Sequence, residues 1–315
     1  MFFKFVVAEP KIKLINYLFV ERNMLETIVM PKKAERKPWE MFFVGFVYAA
    51  IAVLLANFLF LKNPALEQYA SIFILLFVVV FSLPFMYHLI KREEKKDERI
   101  ENEKILIKEH GKAIAALMFL FLGFVTAFSL LYLVLPTDIA NINFHSQIRT
   151  FCLVNAKGSI DECVNAITSG AVLVPANIKE GMNYVASILS TNLIVFVNCL
   201  IFSLIFGAGA IFILAWNASV IATAIGIFAR KNSFGLFGGF LRYMIHGLPE
   251  IAGFFVAALA GGIIGVAIIK HRLDRKKFLH VLHDSLDLII LGLIILIAAA
   301  FIEVFLTPLT FGLLK

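Results

Sequence analysis

The sequence predicts an all-α fold, a polytopic bundle of transmembrane helices, on three observations. The 315 residues are 61% hydrophobic and only 16% charged, whereas a soluble domain is about half apolar and about a quarter charged. The apolar residues occur in runs of about 20, which as helices cross a hydrocarbon core about 30 Å thick. Basic residues concentrate in a few segments between those runs. Together these features predict a multi-pass protein of the cell membrane.

Seven spans are expected, within a range of six to eight. Residues 186–229 are about twice as long as one crossing needs, so we divide them into two spans near Gly207 and Gly209. The other runs have clearer limits. They begin at Trp39 for the first span, Ala113 for the third, Leu248 for the sixth and Ser285 for the seventh, and the second ends at Ile90.

The distribution of Lys and Arg predicts the orientation, because these residues accumulate on the cytoplasmic side of a membrane. Residues 1–38 contain eight of them, residues 91–112 contain eight and residues 270–277 contain five. If seven spans alternate, these segments share one side, and the other side holds the remaining eight of 29. We therefore expect the N-terminus inside and the C-terminal tail, residues 309–315, outside. The net charge of +7 then reflects topology and attraction to anionic lipids, with no nucleic-acid partner.

The same pattern divides the rest of the chain into parts. Residues 1–38 are a basic cytoplasmic segment, either a helix lying on the membrane surface or a basic tail. Residues 39–135 hold the first three spans, with a cytosolic helical extension at 91–112. Opposite charges three residues apart predict a solvated helix there, and a docked partner is the alternative. An extracytoplasmic loop over 136–183 precedes a core of four spans at 184–308.

The three cysteines suggest one bridge and no metal site. Cys152 and Cys163 lie in the predicted extracytoplasmic loop. If that side is oxidising, a disulfide between them would contribute about 3 kcal/mol by closing a short loop. Cys199 lies within a span, where it would pack as a small apolar residue. Because the sequence contains neither a CxxC pair nor a Cys/His zinc spacing, we expect no metal and no other cofactor.

Several polar residues fall at membrane depth, where an ionisable side chain costs several kcal/mol unless it is paired. Counting about 20 residues outward from Lys270 places Glu250 near the outer boundary, and the same count from His283 places Glu303 at a similar depth. The topology therefore predicts an outward-facing polar cluster. Its members are Asn192, Asn217, His246, Glu250 and Glu303, with Asn217 nearer the middle of its span.

Small residues recur every four positions along the sixth span, a pattern that lets another helix approach closely. Glu250 lies three residues before the first of them, so we expect it to face protein and not lipid. This ridge would serve packing within the chain or a homodimer. It consists of Gly253, Ala257, Gly261 and Gly265.

The "HGLP" sequence at 246–249 predicts a helix break. Gly247 permits a tight turn, and Pro249 suits the first turn of a new helix. His246 would then end one segment, and Glu250 would lie in the first turn of the next. A continuous helix would allow these two side chains to bind a metal together, but neither HExxH nor GxSxG occurs. We therefore predict no catalytic residues.

Three stretches resemble the stage II sporulation protein M family in its archaeal form, over roughly residues 136–308. They are "FGAGAIFILAWNASVIATAIG", "LRYMIHGLPEIAGFFVAALAGGIIGVAIIKH" and "DSLDLIILGLIILIAAAFIEVFLTP". The first two spans and the charged segment lie outside this resemblance. The residues that match the family signature are His246, Gly247, Glu250, Glu303, Thr307 and Pro308.

The resemblance implies an assembly role, because the family's namesake scaffolds cell-wall hydrolases during engulfment in spore-forming bacteria. The expected function is a non-enzymatic scaffold or assembly subunit of an envelope complex. Its partners would be the lipid bilayer and other membrane or envelope proteins. A transporter, channel or permease subunit that uses Glu250 and Glu303 is the alternative, because intramembrane carboxyls are typical of substrate paths. An intramembrane metalloenzyme is the third hypothesis.

Overall fold

The chain forms a helical bundle, and the predictions of an all-α fold and of seven spans are confirmed. The orientation of the termini stays a prediction, and the surface helix or tail expected at residues 1–30 lies outside the described residues. The computed structural model describes residues 31–97, 103–155, 160–169, 175–207, 209–231, 235–270 and 275–312.

Seven of the helices in these ranges are long and apolar enough to cross a membrane, and we number them as spans. Span 7 contains a turn of π-helix, Ile302–Leu306, and continues into Thr307–Gly312. The helices are span 1, Glu40–Phe60; span 2, Ala70–Asp97; span 3, Glu103–Val134; span 4, Ile178–Phe206; span 5, Ala210–Lys231; span 6, Gly235–Lys270; and span 7, from Arg275–Phe301 onward. Shorter helices are Pro31–Arg36, Pro64–Glu67, Thr137–Asn143, His145–Asn155 and Ile160–Ser169.

Three of the helices begin earlier than their apolar runs. The runs at Ala113, Leu248 and Ser285 start 10, 13 and 10 residues inside helices that begin at Glu103, Gly235 and Arg275. Hydropathy reports only the part of a helix that lies in hydrocarbon, whereas the backbone hydrogen bonds continue through its polar end. The division between spans 4 and 5 falls where it was expected. Gly207 adopts a φ of 62° there, a conformation that glycine reaches without steric cost.

Alternation of the spans gives the bundle two ends. We call one the basic face, where span 2 ends, span 3 begins and Lys270 closes span 6. The other, the loop face, carries the short helices between Thr137 and Ser169. Arg230 fixes this end by donating to the Leu135 carbonyl at 2.7 Å and to the Thr137 hydroxyl at 2.8 Å.

Span 6 lies at the centre, packed against spans 2, 3, 4, 5 and 7. The small-residue ridge faces its neighbours within the chain. A Cβ added to Gly261 or Gly265 would lie 2.2 Å or 2.5 Å from a carbonyl oxygen of span 4. Gly253 packs against Leu296 of span 7, and Ala257 is fully buried. The ridge therefore packs within the chain, the first of the two expected uses, because the backbones of spans 4 and 6 meet along it.

The predicted break at "HGLP" was wrong, because span 6 is one helix of 36 residues. Gly247 has a helical φ, since the described glycines with positive φ are Gly207 and Gly235. Pro249 removes one backbone hydrogen bond, and the α-helix continues on both sides of it. His246 and Glu250 therefore lie one turn apart on the same face of a continuous helix.

Candidate functional site

The polar side chains near the loop face of spans 4, 6 and 7 form what we call the loop-face cluster: Asn192, His246, Glu250, Glu303 and Thr307. Asn192 Nδ2 donates a hydrogen bond to Glu250 Oε1 at 2.6 Å. The carboxyl groups of Glu250 and Glu303 are close enough to interact electrostatically. Thr307 Oγ1 lies 3.3 Å from His246 Nδ1. Three spans that are distant in sequence are thereby joined by side chains.

The π-helical turn of span 7, Ile302–Leu306, contains Glu303 and is followed by Thr307. Pro308 follows directly, and its ring has no N–H and crowds the carbonyl four residues earlier. The backbone N–H of Thr307 accordingly bonds to the Ile302 carbonyl, five residues back, and its hydroxyl donates to the same oxygen at 3.2 Å. Such a turn changes the direction in which side chains point, and π-helical turns often occur at functional sites. This is why the Thr-Pro step matters for the position of Glu303.

Asn217 does not join this cluster, and the prediction that it would was wrong. It lies seven residues from the start of span 5 at the basic face, and its Nδ2 donates to the Ile213 carbonyl of its own helix at 2.8 Å. Glu250 lies 20 residues from the end of span 6 at that same face. At 1.5 Å per residue these depths differ by about 20 Å.

The loop-face cluster has a definite chemistry. Glu250 and Glu303 are neighbouring carboxyl groups, and two close carboxyl groups can share one proton because both do not readily ionise together. The Asn192 amide supplies a donor to the Glu250 oxygen that it faces. Within the described parts of the chain, no group of three or more His, Cys, Asp or Glu side chains is arranged to hold a metal ion.

A second set of polar side chains, which the sequence did not predict, lies at the basic face. Lys96 is its centre. Lys96 Nζ lies 2.9 Å from Glu35 Oε2, 2.7 Å from Glu93 Oε1 and 3.8 Å from Glu109 Oε2. One ammonium group therefore links the short helix Pro31–Arg36 to spans 2 and 3.

Other ion pairs extend this set across the bundle. His110 places Nδ1 2.9 Å from Glu93 Oε2 and Nε2 2.8 Å from Asp97 Oδ1. Lys270, the last residue of span 6, lies 3.2 Å from both carboxylate oxygens of Glu94. We call this set the basic-face network: Glu35, Arg92, Glu93, Glu94, Lys96, Asp97, Glu109, His110 and Lys270.

The expectation of a solvated charged helix at residues 91–112 was wrong for four side chains of this network, whereas Arg92 is 38% exposed. Glu93, Glu94 and Asp97 are fully buried, and His110 is 1% exposed. The three-residue spacing found the Glu93–Lys96 pair, but it could not find Glu35 or Lys270, which come from distant parts of the chain. The sequence of a charged segment does not show which of its side chains will contact another helix.

The region between the two polar sets is apolar. Along span 6, from Glu250 toward Lys270, Phe254, Phe255, Leu259 and Ile263 are at most 2% exposed. Each belongs to a cluster of buried hydrophobic residues. The packing around this part of span 6 is therefore predominantly apolar, with isolated buried hydroxyl groups such as that of Ser203.

The cysteines occupy two environments. Cys152 and Cys163 form a disulfide, with an Sγ–Sγ distance of 2.03 Å, which joins the helices His145–Asn155 and Ile160–Ser169. Cys199 is a free thiol, fully buried in span 4. Because it directly precedes Leu200, which contacts Gly261 of span 6, it lies at the closest approach of these two spans.

Comparison with known proteins identifies the family of the chain. No solved structure matches the chain. An uncharacterized protein of Methanocaldococcus jannaschii is 30% identical over 143 residues, which are 42% of this chain and 79% of the relative. The family model for stage II sporulation protein M matches residues 41–308, so the family extends over the first two spans, which the motif resemblance had left out. The chain therefore belongs to the stage II sporulation protein M family.

Proposed function

We propose that this protein is a non-enzymatic scaffold, a membrane subunit that positions other proteins of an envelope complex. The observation that supports the proposal is that the polar side chains of both sets connect helices to one another. The loop-face cluster and the basic-face network join separate helices to one another, and the apolar centre lies between them. Such a bundle is held at both ends and packed in the middle, which suits a rigid framework.

The burial of the spans supports this proposal. Span 6 buries 78% of its apolar stretch, whereas span 4 buries 17%. Span 4 is nevertheless fixed to span 6, through Asn192 and through the glycine contacts at Leu200 and Leu204. A helix that is fixed on one side and open on the other can present a surface to a partner within the membrane.

The experiment is crosslinking and affinity capture of the tagged full chain from its native membranes, for wild type and two variants. Glu250→Gln keeps a hydrogen-bonding side chain opposite Glu303, whereas Glu250→Leu removes it. A scaffold should retain a stoichiometric envelope partner in wild type and Glu250→Gln and lose most of it in Glu250→Leu. Wild type that returns without any stoichiometric partner overturns the proposal.

A second candidate function is proton-coupled transport as a permease subunit. One observation favours it: the carboxyl pair of Glu250 and Glu303 lies beside a π-helical turn, and paired intramembrane carboxyls occur in proton relays. In liposomes, a transporter should move protons or substrate in wild type and lose this flux in Glu303→Gln at an unchanged fold. Liposomes of wild type that show no flux would remove this candidate.

A further inference from the structure

Span 4 has one side that faces the bilayer and carries a regular series of residues. Phe196, Cys199 and Ser203 are buried on its inner side. The outer side is broadly exposed, and six of its exposed residues lie on one stripe, at intervals of four, three, four, three and four positions. A stripe with this average spacing of 3.5 residues is one along which two helices can pair in a left-handed supercoil. We call the series the span 4 seam: Ser187, Thr191, Ile194, Asn198, Ile201 and Ile205.

Asn198 is the polar residue within the apolar half of this seam. It is exposed, and it lies eight residues from the end of span 4, about 12 Å along the helix. Its Nδ2 donates to the Ile194 carbonyl of the same helix at 2.9 Å, the one hydrogen bond that its side chain makes to a described residue. An amide offers two donors and two acceptor lone pairs, and leaving these unused in hydrocarbon is costly.

The topology of a membrane protein selects the group that can satisfy this amide. Two copies in one membrane have the same orientation, so a two-fold axis normal to the membrane places their fourth spans parallel. Each seam residue then faces its own counterpart across the axis. An asparagine amide both donates and accepts, so two copies of Asn198 complement each other. The isoleucines at 194, 201 and 205 would pack against their own counterparts.

We propose that a second copy of this chain docks along the span 4 seam, with the two Asn198 side chains hydrogen-bonded to each other at the axis. A single polar residue in an otherwise apolar seam fixes the register of such a pair. The role of the dimer rests on the proposed scaffold function, since the second copy would cover one stripe of the open side of span 4 and leave the rest of that side to an envelope partner. Its geometry does not depend on that function.

The experiment is oxidative crosslinking of single cysteines introduced into the full chain, in native membranes and in liposomes. Ile194→Cys tests the seam. Ile294→Cys in span 7 is the control, because it is similarly exposed, 58% against 64% for Ile194. The native Cys199 is buried and should contribute little. A covalent dimer is expected for Ile194→Cys and not for Ile294→Cys.

Addition of Asn198→Leu to Ile194→Cys should lower the yield of dimer by about 3- to 30-fold, because it removes the interhelical amide contact. Equal crosslinking of Ile294→Cys overturns the inference, as does an unchanged yield with Asn198→Leu. Crosslinking of Ile194→Cys only to a different protein also overturns it. If the chain is monomeric but still captures an envelope partner, the dimer fails and the scaffold function stands. If the chain dimerises but captures no envelope partner, the dimer stands and the scaffold function fails.

Discussion

Gly261→Ala should destabilise the contact between spans 4 and 6 more than its small size suggests. The added Cβ would lie 2.2 Å from the carbonyl oxygen of Leu200 and 3.0 Å from its carbonyl carbon. Both atoms belong to the backbone, so no side-chain rotation can relieve the overlap. The two helices must separate by about 1 Å, and the packing that holds helices together in lipid weakens along the whole contact.

The magnitude follows from two opposing effects. Overpacking of a close contact costs about 1–3 kcal/mol. Replacement of glycine by alanine within a helix gains about 0.5–1 kcal/mol. A net loss of about 1–2 kcal/mol is expected, which corresponds to about a 5- to 30-fold larger population of the opened contact.

Cys199 provides the assay, because it is the free thiol of the chain and lies beside Leu200. A membrane-permeant maleimide should react with it only when spans 4 and 6 separate. The labelling rate of Gly261→Ala in liposomes should therefore exceed that of wild type by about 5- to 30-fold.

Gly247→Ala is the matched control on the same helix. Its new Cβ would meet Met244 at 3.7 Å and Ile221 at 4.0 Å, ordinary contacts, so its labelling rate should equal that of wild type or fall slightly. A wild-type rate in Gly261→Ala would refute the close approach. A strong increase in Gly247→Ala would refute the continuous helix through that position.

Three further predictions concern the polar contacts. Glu93→Gln should lower the free energy of unfolding by about 1–3 kcal/mol, because it removes one of the two buried carboxylates that face each of Lys96 and His110 and leaves only Glu35 and Asp97. Thermal unfolding in detergent measures this, and Glu40→Gln, at a partly exposed ion pair, should change little. Cys152→Ser should lower the stability of the two helices joined by the disulfide by about 3 kcal/mol. Hydrogen exchange in residues 145–169 should become faster, and unchanged exchange would contradict the prediction. Asn192→Leu should weaken the contact between spans 4 and 6 by about 1–3 kcal/mol, because a Glu250 oxygen loses its hydrogen-bond donor. Cys199 should then be labelled faster than in wild type, whereas Asn198→Leu on the lipid side should leave the labelling rate unchanged.

The sequence was sufficient for the spans and for the depth of the polar residues. A bilayer requires apolar helices about 20 residues long, so counting along the chain gives both the number of crossings and the height of Glu250 and Glu303 in the membrane. Depth along a helix is a one-dimensional quantity that residue numbers determine directly. Lateral position is not, so the sequence could not show that Asn192, Glu250 and Glu303 meet. Asn217 was wrongly included although counting from Ala210 places it nearer the basic face.

The tertiary structure decided which helices meet and where the backbone departs from expectation. Glu35 reaches Lys96 of span 2, and Lys270 reaches the buried carboxylate of Glu94, only because distant segments converge at the basic face. Span 6 stays helical through Pro249 because its neighbours enclose it, whereas Pro308 produces a π-helical turn that positions Glu303. The effect of the bilayer on each residue depends on the hydropathy of that residue, so the sequence is enough to predict which segments span the membrane. Packing acts between residues far apart in the chain, and only the folded bundle brings them together.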